Sequence, residues 1–280
     1  MNSKKLNKIL CCFAIFSFSL FLISIFAVEK VEQKSIKSAL VNPSYKEKIG
    51  TIFIKDSQET ITLRFLEDFW ILEKKGINTF ADKKNVEELI RNLSKIRSMY
   101  KISDNYKSRI DLKLTDEDAK ILIVIDKSGN IISKLYFGEE DFLTSRLTVA
   151  SQKSKVSYQT ENDLSIFLNC DLDFWTEKEI FFAVKNPSNL NINTSSLESL
   201  LSLRHGKISL DFDKTKATFV RSISLLGQYE TQERIDIFMT EENGTEQYFY
   251  SHQLTPKIIE SNSYYEISQW TYEKLISLVK

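Results

Sequence analysis

The chain is poor in the residues that mark familiar chemistries. Its 280 residues include two histidines, His205 and His252, and three cysteines, with Cys11 and Cys12 adjacent near the start and Cys170 alone in the remainder. A single cysteine forms no intramolecular disulfide, so packing must hold the body together. Neither histidine has a second histidine, cysteine or carboxylate at metal-ligand spacing, which argues against zinc. No Gly-x-Ser-x-Gly elbow surrounds a serine, and no Gly-x-Gly-x-x-Gly or Gly-Lys-Ser/Thr phosphate loop occurs. The chain is therefore not read as the ATPase of a transporter. Seven glycines and three prolines are too few for long flexible linkers. Thirty-eight basic side chains balance thirty-eight acidic ones, and no basic stripe with interleaved aromatics appears, so no nucleic-acid partner is expected.

What the sequence does contain begins at Ile9–Val28, a run without a charged residue, preceded by Lys4, Lys5 and Lys8 and followed by Glu29 and Lys30. Twenty residues at helical rise span roughly 30 Å, the thickness of a bilayer core. Ala27 offers a poor cleavage site because bulky Ile25 lies two positions before it, so residues 1–28 are read as a retained signal-anchor and transmembrane helix. The basic start places the short tail inside and the body outside the cytoplasm, on a single-pass inner-membrane protein. The membrane, through residues 9–28, is the first expected partner.

Residues 29–48 read as a polar stalk broken by Pro43. The body is expected as α+β, a duplicated unit of antiparallel strands with packed helices over 49–170 and 171–280. Strand-like runs occur at Thr51–Ile54, Thr60–Phe65 and Phe69–Leu72. A helix follows, with Asp82 as its cap and Val86, Leu89, Ile90, Leu93, Ile96 and Tyr100 on one face. Further strands are read at Ile121–Ile125, Ile131–Phe137, Arg146–Ala150 and Lys155–Tyr158, then a short helix at Asn162–Leu168. In the second half, strands are read at Ile180–Val184, Lys207–Phe212 and Ala217–Ile223. Ser195 with Glu198 has capping-box spacing. Asn243-Gly244 joins Ile235–Met239 to Gln247–Tyr250 as a hairpin. Tyr264–Ile267 and a helix capped by Ser268 close the chain. The order recurs after roughly 110 residues, which suggests duplication.

Phe69-Trp70-Ile71-Leu72, then Thr79-Phe80-Ala81-Asp82 and the helix stripe, followed by Leu135-Tyr136-Phe137-Gly138 and the strand-to-helix closure at Val156–Leu168, resemble the bacterial domain of unknown function 4340 family. The likeness covers roughly residues 60–170. It departs from the family where Thr79-Phe80 replaces a proline before Ala-Asp, and where Arg109–Leu112 replaces a Tyr-Gly-Leu-like step. The resemblance implies a membrane-anchored envelope accessory encoded beside gliding-motility-type ABC transporters, with transporter subunits as possible partners. It transfers no catalytic residue.

No catalytic, cofactor-binding or metal-ligating residue is assigned. His205 and His252 read as surface histidines at a helix end and a strand end. Asp116-Glu117-Asp118, Glu139-Glu140-Asp141, Asp171/Asp173 and Asp211/Asp213 are adjacent acids in turns, which do not by themselves oppose two carboxyls across a cleft. Trp70, Trp175, Trp270, Tyr264 and Tyr265 are numerous enough for a binding surface, but core packing is the better account of them, because most alternate with polar neighbours. The functional expectation is a non-enzymatic extracytoplasmic binding or accessory protein. The alternatives are an envelope hydrolase with an unrecognised site and a membrane-tethered spacer.

Overall fold

Short apolar runs bounded by turn residues pair as hairpins more readily than they nucleate helices. Fifteen strands result among the residues described by the computed structural model, which are 15–19, 21, 35–141, 143–190, 194–228, 230–242 and 244–279. Ten form one sheet: β1 (Ser35–Ser38), β2 (Ile49–Asp56), β3 (Glu59–Leu66), β4 (Phe69–Lys74), β5 (Ile77–Phe80), β6 (Arg97–Ser103), β7 (Lys120–Asp126), β8 (Ile131–Asp141), β9 (Arg146–Ser151) and β10 (Ser157–Glu161). Their order is β1-β6-β10-β9-β8-β7-β2-β3-β4-β5, antiparallel at every step. The other five, β11 (Ile208–Ser209), β12 (Thr218–Leu226), β13 (Gln232–Glu242), β14 (Thr245–Thr255) and β15 (Tyr264–Ile267), form a second antiparallel sheet ordered β11-β15-β14-β13-β12.

Helix α1 (Lys83–Ser94) packs its apolar face on the first sheet. Asp82 Oδ1 accepts the amides of Lys84 at 2.8 Å and Asn85 at 3.2 Å, satisfying two of the donors a helix start leaves open. Val86, Leu89, Ile90 and Leu93 are buried with Ile52, Leu63, Leu72 and Leu122. Each such side chain contributes roughly 1.5–3 kcal/mol by leaving water. Helix α2 (Thr194–Leu201) and helix α3 (Gln269–Leu278) accompany the second sheet, and Ser268 caps α3 by accepting the amide of Thr271 at 3.1 Å.

The chain order repeats between the sheets. Helix α1 leads to β6 and then the meander β7-β8-β9-β10, whose last strand returns beside β6. Helix α2 leads in the same way to β11 and the meander β12-β13-β14-β15, whose last strand returns beside β11. The first sheet is larger because β6 also takes β1, and β7 also takes β2, bringing β3, β4 and β5 with it.

Several expectations need correction. The described residues are 44% strand against 23% helix, so the α+β reading gives way to a mainly antiparallel β fold. Among the described residues no helix is long and apolar enough to cross a membrane. Residues 15–19 and 21 are helical, whereas 9–14, 20 and 22–28 of the expected spanning helix lie outside the described residues. The helix behind Asp82 ends at Ser94, so Ile96, expected on its apolar face, is exposed and Tyr100 lies in β6. The expected helix at Asn162–Leu168 is only a 3-10 turn, Ser165–Phe167. Lys207–Phe212 pairs over just Ile208–Ser209, and Ile180–Val184 is not a strand at all. Part of the residue range read as a stalk joins the body: β1 pairs with β6, and Val41 is buried with its amide on the carbonyl of Leu93 at 3.0 Å.

Candidate functional site

The two sheets meet at β4 and β5. Strand β4 is buried on both faces, which explains its unbroken apolar run: Trp70 and Leu72 face the α1 core, while Ile71 and Phe80 pack with Leu254 of the second sheet. The chain between β10 and α2 makes two isolated β-bridges, Thr176 with Ala81, just after β5, and Glu179 with Arg204, between α2 and β11. Asp82 donates its amide to Trp175 O at 2.7 Å, and Glu177 donates its amide to Phe80 O at 3.0 Å. This connection leaves an open cleft of about 730 Å³. Its floor is aromatic, with ring centres 5.5 Å apart for Phe69–Phe80, 6.0 Å for Phe69–Phe182 and 4.9 Å for Phe80–Phe182. Its rim mixes charges, with Lys83, Lys84 and Glu88 on α1 facing Glu179, Lys185 and Arg204.

A buried polar knot fixes the floor from beneath. The Glu233 carboxylate, wholly buried, accepts the amides of Phe182 at 2.9 Å, Ala183 at 3.1 Å and Val184 at 2.8 Å, together with Nε2 of His252 at 2.9 Å. These bonds explain why Ile180–Val184 is not a strand: its amides turn inward onto one carboxylate instead of pairing along a sheet. Burial alone would push the Glu233 carboxyl up, but the His252 bond and charge and the amides hold it below its ordinary value. The His252 ring stacks on Phe182 at 4.8 Å and meets the Phe80 edge at 5.5 Å.

Both histidines, expected at the surface, are therefore interior residues, His205 at 5% and His252 at 4% exposure. His205 Nε2 lies 2.7 Å from the carbonyl of Glu177, and since a carbonyl only accepts, that nitrogen carries the proton. Burial lowers the His205 pKa to about 4, so the ring is neutral at pH 7. The Glu177 carboxyl is raised, mainly by burial, with Asp82 and Glu179 adding to the shift.

The acidic pairs serve local structure and do not converge on this cleft. Asp116 bonds Lys134 at 2.9 Å and the Tyr136 hydroxyl at 3.1 Å. Asp141 accepts the amides of Leu143 and Thr144, and Asp213 that of Thr215. Asp171 caps the turn Leu172–Trp175, while Asp173 accepts the amide of Ile208 at 3.0 Å. Glu139 pairs with Lys113. Of the aromatics singled out, Trp70 touches the cleft and Trp175 is fully buried. Tyr265 stacks on Tyr250 at 4.9 Å and bonds Thr79 across the sheets. Tyr264 stacks on Phe212 at 4.2 Å, and Trp270 is 66% exposed.

Sequence reading missed Glu233, although the strand carried a signal. Glu233 lies in phase with Ile235, Ile237 and Met239, and His252 in phase with Tyr248, Tyr250 and Leu254. Two ionisable residues on the inward phase of neighbouring strands mark a buried pair. Chemically, the cleft offers apolar contact and a rim of both signs. Its histidines are enclosed and already bonded, and among the described residues no group of three His, Cys, Asp or Glu could hold a metal ion. Compared with protein-family models, curated proteins and solved structures, the chain matches none.

Proposed function

We propose that the chain is a non-enzymatic binding protein, held at the membrane through residues 9–28 with its body outside the cytoplasm, which receives an apolar segment of a partner between its two sheets. The observation that carries this reading is the open cleft of about 730 Å³ with the aromatic floor Phe69, Phe80 and Phe182. Its volume is that of binding sites, and its aromatic floor, ringed by charged side chains of both signs, gives an apolar segment flanked by charges a place to dock. The uncharged run at residues 9–28 supports membrane attachment. The resemblance to the 4340 family supports subunits of an ABC transporter as the partner class.

The test places a photo-crosslinking residue at Lys84, on the cleft rim, or at Lys214, on a distant turn of the full-length protein in its own cells. Lys84 is expected to capture a transporter subunit, Lys214 is not, and Phe182→Asp abolishes the product. Equal capture from both positions removes the cleft from the reading. Hydrolysis of cell-wall peptides or glycans by the purified protein, lost on replacing one histidine or acid, would establish the hydrolase alternative instead.

A further inference from the structure

Strand β1 runs antiparallel to β6, pairing Ser35 with Tyr100 and Ser38 with Arg97. The chain therefore enters the body at the Ser103 end of β6, where β10 also starts, because Ser157 pairs with Ser103. Two loops lie at this end, the residues after β6 and those between β9 and β10. Arg109 locks them together. Its buried guanidinium donates to the carbonyls of Ser151, at 2.7 Å, and Ser154, and it lies 4.7 Å from the Tyr106 ring centre. The locked loops present Tyr106 at 45% and Ile110 at 68% exposure. Lys107, Lys153 and Lys155 are exposed beside them and make no ion pair among the described residues, against one such acid, Asp111. The opposite end of the same strands carries exposed Leu143 and Ile166 too, but its charges are paired there, Lys95 with Glu161 and Asp163 and Arg97 with Asp163, and it presents no cluster of unpaired lysines.

We infer that the end bearing Tyr106, Lys107, Ile110, Lys153 and Lys155 rests on an anionic lipid surface. The inference depends on the reading that residues 9–28 insert into lipid. Six residues, 29–34, separate that run from Ser35, and six extended residues reach about 20 Å at most. The entry end is thus the part of the body tethered nearest to the headgroups. Lysines with a tyrosine and an isoleucine are the side chains that settle at such an interface, where cations meet lipid phosphates and amphipathic rings span the boundary. The opposite end, with its lysine and arginine already bonded to carboxylates, offers the phosphates no free cations.

The test uses the full chain with Cys11→Ser and Cys12→Ser, leaving only buried Cys170, and an environment-sensitive fluorophore on Gln152→Cys or Leu143→Cys. Vesicles of equal phosphatidylglycerol and phosphatidylcholine are compared with phosphatidylcholine alone. Co-flotation with vesicles reports on residues 9–28, and the fluorophore reports on the surface. The expected result is flotation with both lipids, a blue shift at Gln152 that is larger with phosphatidylglycerol, no shift at Leu143, and loss of the Gln152 shift in Lys107→Glu/Lys153→Glu/Lys155→Glu. Flotation with a silent Gln152, or with equal shifts at both positions, overturns the inference and leaves attachment standing. A Gln152 shift that follows protein concentration rather than lipid assigns the face to a second copy and overturns it as well. Failure to float removes the attachment and the inference with it.

Discussion

The two sheets follow the same path, from a helix to a strand, through a four-strand meander and back beside that strand, yet they enclose different interiors. Around α1 the core is aliphatic, with Ile52, Leu63, Leu72, Leu89, Leu93, Leu122 and Val124 buried together. Around β13 and β14 the corresponding layer contains Glu233, His252, Tyr250 and Tyr265, with His205 close by. One backbone order thus tolerates either interior, since packing density and satisfied hydrogen bonds are what the order requires. The polar groups of the second unit are spent on the chain between the sheets. Glu233 and His205 bond the backbone of 182–184 and of Glu177, so the second unit holds the cleft while the first supplies most of its rim.

The largest expected effect comes from breaking the knot. Glu233→Ala removes the acceptor for three amides and for His252, and each buried donor left without a partner costs about 1–3 kcal/mol. Leu89→Ala in the first unit leaves a cavity costing about 2–5 kcal/mol. Urea unfolding is expected to rank both as severe, so hydrogen exchange makes the distinction. Amides of Phe182, Ala183 and Val184 lose protection selectively in Glu233→Ala and not in Leu89→Ala. Equal loss in both variants would mean that the knot has no local role.

Acid separates the two interiors next. The unfolded His205 titrates near 6.5 and the folded one at about 4, so between these values the unfolded chain binds more protons. Stability from this residue is fully present above pH 6.5 and drains away as pH falls toward 4, a loss of up to about 3 kcal/mol for that shift. Glu233, with its folded pKa lowered, contributes stability above its unfolded value of 4.5 that disappears as pH falls through the lower folded one. Urea midpoints measured from pH 7 to pH 4 are expected to decline in the parent and to flatten in His205→Gln, whose amide can still donate to Glu177 O. A slope unchanged by that substitution would falsify the assignment.

Smaller still is the bond between the units. Tyr265→Phe removes the hydroxyl that meets Thr79 across the sheets, an effect of about 1 kcal/mol for a neutral hydrogen bond. Thr79→Val on that background should cost less than it does alone, because the two groups share one bond. Additive costs in the double-mutant cycle would show that the contact does not join the sheets energetically.

The contrast also explains what the sequence could reveal. Helix α1 was legible because Val86, Leu89, Ile90 and Leu93 repeat at helical spacing behind a capping Asp82, and all of that information is local. The hairpin at Asn243-Gly244 was legible for the same reason. Ile180–Val184 misled because five apolar-rich residues suit a strand, while its amides answer to Glu233, some fifty residues away. The histidines misled because their neighbours in sequence are polar and their neighbours in space are Phe182, Phe80 and Tyr265. Most strand neighbours are consecutive in the chain, and the pairings that no window of sequence contains are β1 with β6, β6 with β10, β2 with β7 and β11 with β15.

The slightest effect on stability tests one of the two places where the sheets differ in outline. On β7 the outer edge is covered by β2, whereas β12 has no strand beside it among the described residues. Asn189 covers part of that edge: its Oδ1 accepts the amide of Leu226 at 2.8 Å and its Nδ2 donates to Ser224 O at 2.8 Å, while the Ser188 amide donates to Leu226 O at 2.7 Å. One side chain thereby imitates the two bonds that a neighbouring strand would make. Asn189→Ala is expected to cost only about 0.5 kcal/mol, since water can reach both freed groups. Its consequence should be colloidal rather than thermodynamic, because an uncovered edge is a template for strand addition. Light scattering on concentrated protein is expected to show self-association in Asn189→Ala and none in Asn169→Ala, a substitution away from any sheet edge. If Asn189→Ala stays monomeric, the irregular pairing at Phe219/Arg221 already protects β12 and the Asn189 bonds are dispensable.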